Sequence, residues 1–176
     1  MRISILVFFC CLMAFSNLAL CQARYALGVE TGYLIFQNTL LDVDPGPNWQ
    51  GHHLENRDGF EFSLINGLVW KEFFYAGLGL GYQNFFDSAS RSYHGLSGFF
   101  SFEFANYKSK ISPVFNLKLG TARLWNQYES GTQNFYGEIL VGPMIRLTGS
   151  TRISLKSGMM IQQNASLIPI KVGLMF

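Results

Sequence analysis

Residues 73–85 read FFYAGLGLGYQNF, and this stretch decides the fold class. Glycine stands at positions 77, 79 and 81, while Phe74, Ala76, Leu78, Leu80 and Tyr82 fill the positions between and around them. A repeat of two residues matches a β-strand, in which successive side chains point to opposite faces. Three glycines so close together would destabilise a helix. The stretch therefore predicts a strand with one apolar face and one face of very small residues.

The same alternation recurs in seven further segments of the chain. In each, one side is apolar, and the other is mostly Gly, Ser, Ala and Gln with about one charge per strand. A soluble sandwich or lipocalin-type barrel, the alternative, would bury its apolar side and cover the other side with charge. Small residues fit the crowded interior of an eight-stranded barrel better. The segments are 24–36, 59–70, 96–105, 112–122, 135–147, 151–162 and 168–176.

The connections between these segments also alternate in length. They are long and polar after the first, third and fifth strands, at roughly 37–58, 87–95 and 124–134, and short after the others. Long loops at one end and short turns at the other are typical of membrane barrels. We therefore predict an all-β fold, an eight-stranded antiparallel up-and-down transmembrane β-barrel whose apolar side faces lipid.

The first residues resemble a secretory signal peptide. Arg2 precedes a run over 3–15 that is apolar except for Ser4, and small residues follow at Ala19, Cys21 and Ala23. This order of charge, apolar run and small residues predicts a signal peptide at 1–23 and a barrel domain at 24–176. Lipidation at Cys21 is the alternative. Cleavage after Ala23 would remove every cysteine, so no disulfide or thiolate site is expected.

Composition limits the classes of function. Charged residues make up 14% of the chain and the net charge is +2, with no basic cluster along the sequence. Basic patches are the usual mark of nucleic-acid binding, so no nucleic-acid partner is expected. No glycine loop that cradles phosphate precedes a helix, because the GLGLG run lies inside a strand. We expect no cofactor.

The C-terminal segment IPIKVGLMF (168–176) alternates up to the last residue. A terminal Phe176 preceded by Leu174 and Val172 resembles the C-terminal signal of bacterial outer-membrane barrels, and that resemblance implies recognition by the barrel assembly machinery. The mature chain resembles small OmpA/OmpX-like barrels. Within that group, the segments 59–70 and 75–85 resemble the Bacteroidetes-type, porin-family-like outer-membrane barrels. Pro143 and Pro169 depart from the pattern and predict local interruption of the strand pairing.

Nine charged residues fall on the inward side of the predicted strands. We interpret them as a lumen charge network that fills and rigidifies the interior, because a buried charge without a partner is costly. A narrow ion path is the alternative interpretation. These nine residues and the C-terminal signal are the site residues that we predict. The nine charged residues are Glu30, Glu61, Glu103, Glu138, Lys118, Arg146, Arg152, Lys156 and Lys171.

The three histidines give weak indications of chemistry. His52 and His53 lie in the first long loop with Asp42, Asp44, Glu55 and Asp58, but adjacent histidines on an extended chain point apart, so we predict no metal site. His94 precedes Ser97, and some outer-membrane barrels are lipid-modifying enzymes that use Ser and His. A matching acid is not evident, so no catalytic residue is assigned.

Aromatic residues near the predicted strand ends suggest girdles at two membrane surfaces. They are Tyr25, Tyr33, Trp70, Phe73, Tyr82, Tyr107, Trp125, Tyr128 and Tyr136. We expect a monomer in the outer membrane of a Gram-negative cell, not an enzyme, with a role in membrane integrity, adhesion or display of outer loops to an unknown extracellular ligand. The alternatives are a small pore or transporter for ions or small solutes, and a lipid-modifying enzyme.

Overall fold

The computed structural model describes residues 23–40, 54, 57–86, 92–125 and 131–176. In this part of the chain eight strands close into one antiparallel barrel. No helix among these residues is long and apolar enough to cross a membrane. The strands are β1 (Ala23–Thr39), β2 (Asp58–Trp70), β3 (Phe74–Phe86), β4 (Ser92–Ala105), β5 (Ile111–Leu124), β6 (Thr132–Arg146), β7 (Arg152–Gln162) and β8 (Ala165–Met175).

Each strand pairs with the next one in the sequence, and β8 pairs with β1. The predicted up-and-down topology is confirmed. We call the end with the connections 71–73, 106–110 and 147–151 the turn end, and it also holds the start of β1 and the end of β8. The opposite end, with 40–57, 87–91, 125–131 and 163–164, is the loop end. Residues 1–22 of the predicted signal segment and the loop histidines His52 and His53 lie outside the described residues, whereas Ala23 begins β1.

The barrel has an apolar outer surface, and its interior encloses both charged side chains and a cluster of buried apolar side chains that includes Phe85 and Phe99. Leu80 is 73% exposed on the outer surface, and Leu78 and Phe100 are exposed beside it. In contrast, Glu61 and Lys118 are fully enclosed in the lumen. The prediction that the apolar side of every strand faces outward is therefore confirmed.

The glycines of β3 leave a bare inner wall into which side chains of neighbouring strands project. A Cβ at Gly79 would lie 2.3 Å from the ring of Phe99, and a Cβ at Gly81 would lie 2.4 Å from the Ser97 hydroxyl. Contacts this short are not found in real structures, so only glycine admits these neighbours. The Phe99 ring in turn stacks on Tyr136 with 5.3 Å between ring centroids.

The two prolines interrupt the strand pairing as predicted. The register of β6 with β7 skips positions 142 and 143, and that of β7 with β8 skips 168 and 169. On their other sides, Pro143 pairs with Pro113 and Pro169 pairs with Leu34. A proline has no N–H to donate, so it removes a bond from one neighbour only.

Two of the connections are tight hairpin turns with left-handed backbone. Lys71 and Glu72 have φ of 51° and 55°, and Gln163 and Asn164 have φ of 49° and 60°. Positive φ at both central residues is the geometry that follows the twist of the flanking strands. Only Asn164 belongs to the residue types that accept this conformation readily.

Candidate functional site: a charge chain in the lumen

Seven of the nine predicted lumen residues join into one chain of alternating charge. Their side chains cross the interior from several strands, and each lysine bridges two glutamates. We call this group the lumen charge chain. Its members, in order of contact, are Glu103, Lys156, Glu30, Lys118, Glu138, Lys171 and Glu61.

Lys118 is the centre of the chain. Its Nζ lies 2.5 Å from Glu30 Oε2 and 2.9 Å from Glu138 Oε2. Lys156 donates to the other Glu30 oxygen and lies 3.0 Å from Glu103 Oε2. Glu30 comes from β1 and Lys118 from β5, so this contact joins strands on opposite sides of the barrel.

The second half of the chain lies around Lys171. Its Nζ is 2.7 Å from Glu61 Oε1 and 2.5 Å from Glu138 Oε1. Glu61 also accepts hydrogen bonds from the Ser63 hydroxyl at 2.7 Å and from the Gln83 amide at 2.9 Å. These neutral donors satisfy oxygen lone pairs that the lysine does not reach.

Pairing offsets the cost of burying these charges. All seven side chains are almost completely enclosed by the barrel wall. An isolated buried ion costs several kcal/mol, and this cost is recovered only when partners and additional hydrogen bonds surround it. Removing one lysine therefore leaves two glutamates with one cation fewer, and the contacts of the chain connect strands across the barrel.

Two predicted members, Arg146 and Arg152, are not part of the chain. Arg146 is exposed at the turn end, because β6 ends there and the alternation of the strand no longer encloses it. Arg152 is buried, but it donates to the backbone carbonyls of Ser150 and Tyr107, at 2.8 Å and 2.7 Å. Among the described residues neither arginine has a carboxylate within ion-pair distance. The prediction of one nine-membered network is wrong at these two positions.

Two tyrosines predicted for the outer girdles lie inside the barrel. Tyr136 is fully buried and its hydroxyl donates to Glu138 at 3.0 Å. Tyr107 folds from the β4–β5 turn back into the lumen and donates to Glu103 at 2.9 Å. Burial, and then the Glu103 carboxylate, raises the pKa of the Tyr107 phenol, so it remains a donor at neutral pH. Tyr128 lies outside the described residues.

Sequence reasoning could have found Tyr136 but not Tyr107. Tyr136 is two residues before Glu138 and therefore shares the inward face of β6. Ser63 has the same relation to Glu61. Tyr107 belongs to a turn, where alternation gives no information about direction. It closes the turn end of the lumen beneath the charge chain.

A small cavity lies beside Glu30, Lys156 and Arg152 and has a volume of about 20 Å³. That is room for about one water molecule. Next to this cavity the side chains of the lumen charge chain are packed against one another.

Ser97 and His94, the two residues considered as a catalytic pair, lie on opposite sides of the barrel wall. Ser97 is buried in the lumen, whereas His94 is exposed on the outside. Successive side chains of a strand point to opposite faces, so two residues that are three positions apart lie on opposite faces. His94 Nδ1 is instead 2.6 Å from the Tyr82 hydroxyl on the neighbouring strand. Among the described residues no group of His, Cys, Asp or Glu could hold a metal ion.

The C-terminal residues complete the closed wall. Phe176 and Leu27 exchange backbone hydrogen bonds of 2.9 Å and 3.3 Å, so the pairing with β1 continues to the last residue. Val172, Leu174 and Phe176 all point outward and are exposed. The alternation seen in the sequence becomes an apolar ridge on the outer face of β8.

These features define a class: a closed eight-stranded barrel with an apolar outer surface and a packed interior that contains buried ion pairs, the architecture of small outer-membrane β-barrels. Solved structures of that class resemble it. Neisserial surface protein A is 11% identical with a TM-score of 0.65, over 87% of this chain and 97% of that chain. The outer membrane enzyme PagL is 12% identical with a TM-score of 0.50, over 86% and 98%. No protein-family model and no curated protein matches the chain.

Proposed function

We propose that this protein is an integral outer-membrane barrel whose closed body supports loops for membrane integrity, adhesion or the display of a binding surface. The observation that supports this proposal is the packed lumen, in which buried lysines and glutamates pair with one another, inside an exposed apolar outer surface. A rigid scaffold that carries long connections at one end is a common arrangement for binding. Membrane lipid and an extracellular ligand at the loop end are the partners that it implies.

The role as a small pore is less well supported by the same geometry. A conducting path would need continuous water, and the chain of ion pairs crosses the interior instead. We also propose that the protein is not an enzyme, since Ser97 and His94 cannot act together from opposite faces. The likeness to PagL is one of fold and does not alter this proposal.

The assembly route and the finer relationship are proposals as well. The outward ridge of Val172, Leu174 and Phe176 is available for recognition by the barrel assembly machinery while β8 is still unpaired. A monomer is proposed because the barrel leaves no strand edge to pair with a second copy. The proposed relationship to the Bacteroidetes-type barrels rests on the sequence segments 59–70 and 75–85.

The decisive experiment combines folding and conductance. The mature protein, refolded in detergent, should run as a compact band that shifts on boiling and should show a β-sheet circular dichroism spectrum. In planar bilayers it should give no stable conductance steps. A soluble protein without a heat shift would refute membrane insertion, and regular conductance steps would favour the pore.

A further inference from the structure

Exposed basic side chains gather at the turn end of the barrel. They come from the start of β1, the β2–β3 turn, the β4–β5 turn and the end of β6. Because they are far apart in the sequence, no basic cluster is visible there. We call this group the turn-end basic ring, and its members are Arg24, Lys71, Lys108, Lys110 and Arg146.

Few negative charges oppose the ring. Among the described residues at this end, Glu72 is the only exposed acidic side chain, and it pairs with Lys108 at 3.2 Å. The other four cations have no ion pair with a described carboxylate. Arg152 adds to the positive field, because it lies opposite Arg146 in the register of β6 and β7.

The turn-end basic ring lies at the border of the exposed apolar side chains that cover the outer surface of the barrel. Four of its cations each follow or precede an exposed apolar or aromatic residue in the chain. Lysine and arginine stems can lie along apolar surface while their charged groups reach a polar layer. Their charged groups are therefore at the level of lipid head groups if this apolar surface is in a membrane. The apolar neighbours are Tyr25, Trp70, Ile111 and Ile145.

The two ends of the barrel differ in charge. By sequence, the connections 40–57, 87–91 and 125–131 at the loop end contain more acidic than basic residues. The turn end has the opposite balance among its exposed side chains. A membrane surface with negative head groups complements the turn end and not the loop end.

We propose that the turn-end basic ring binds the phosphate head groups of anionic phospholipids in the leaflet that the short turns face. This inference rests on the proposed membrane function and adds a lipid class and a place to it. Each cation near an anionic surface favours the negative lipid by about fivefold. Four unpaired cations around one rim should therefore enrich anionic phospholipid beside the barrel.

The test measures association of spin-labelled phosphatidylglycerol and phosphatidylcholine with the full mature barrel in phosphatidylcholine vesicles. The wild type should prefer phosphatidylglycerol by about twofold to fivefold, since only lipids at one rim feel the ring. Combining Arg24→Gln, Lys71→Gln, Lys110→Gln and Arg146→Gln should remove most of this preference. The matched control is Arg123→Gln, an exposed cation near the loop end, which should retain it.

Salt provides a second measurement that needs no variant. At 1 M salt the screening length is about 3 Å, so the preference of the wild type should vanish. Equal association of both lipids at low salt, a preference that survives salt, or loss of preference in the Arg123→Gln control would each overturn the inference. The heat shift is measured first on every sample. A sample that shows the heat shift but no lipid preference overturns the ring inference alone, whereas absence of the heat shift overturns both the ring inference and the proposed membrane barrel.

Discussion

Replacing Lys118 with methionine tests whether the lumen charge chain holds the barrel together. Methionine keeps an unbranched stem of similar length and removes only the charge, so packing beside the Phe99 ring is largely preserved. The Lys118 Nζ lies 5.2 Å from that ring centroid. Glu30 and Glu138 each lose one partner, but they keep Lys156 and Lys171.

The size of the effect follows from this remaining pairing. Breaking a buried ion pair by removing one partner costs about 3–5 kcal/mol. Because both glutamates keep a second lysine, we expect the lower part of that range, a loss of about 3 kcal/mol in the free energy of unfolding.

The assay is urea unfolding of the refolded barrel in lipid vesicles, followed by tryptophan fluorescence and by the gel shift. Arg123→Gln, at an exposed position outside the lumen charge chain and the turn-end basic ring, is the control and should change stability by less than about 0.5 kcal/mol. Adding Glu138→Gln to Lys118→Met should recover part of the loss. Unchanged stability of Lys118→Met together with new conductance would refute a structural role and indicate an ion path.

Three further substitutions test the packing of the lumen and the turns. Gly79→Ala should destabilise the barrel by about 1–3 kcal/mol in the same assay, because its Cβ meets the buried Phe99 ring, and Phe99→Leu should rescue it. Glu72→Gly should stabilise the barrel by up to about 1 kcal/mol, because relief of the left-handed backbone gains about 1–2 kcal/mol and the more flexible unfolded chain takes back about 0.4–1 kcal/mol, and a lower urea midpoint would contradict this. Tyr107→Phe leaves Glu103 with one donor fewer, so a loss of about 1–3 kcal/mol is expected, and unchanged stability would show that this hydrogen bond is dispensable.

The proposed role directs attention to the barrel surfaces. In that proposal the buried ion pairs stabilise one arrangement of the interior, and other molecules interact at the loops, at the exposed apolar surface or at the turn-end basic ring. The loop connections and the turn-end ring have opposite charge, so they are suited to different partners.

Sequence alone determined the architecture, because alternation is a local property. Side chains two residues apart must share a face of a strand, so FFYAGLGLGYQNF already separates an apolar face from a glycine face. The strand count and the inward position of Glu61 and Lys118 follow from the same rule, whereas the interruptions at Pro143 and Pro169 follow from the missing N–H of proline.

Tertiary structure decided every feature that depends on which strands meet across the lumen. Alternation says that Glu30 and Lys118 point inward, but 88 positions separate them and only barrel closure brings them into contact. It carries no information in turns, where Tyr107 folds inward, or at strand ends, where Arg146 emerges into solvent. The basic ring likewise exists only after closure, since its members belong to four separate places in the chain. Local patterning fixes direction, whereas contact between distant residues is fixed by the register and closure of the whole sheet.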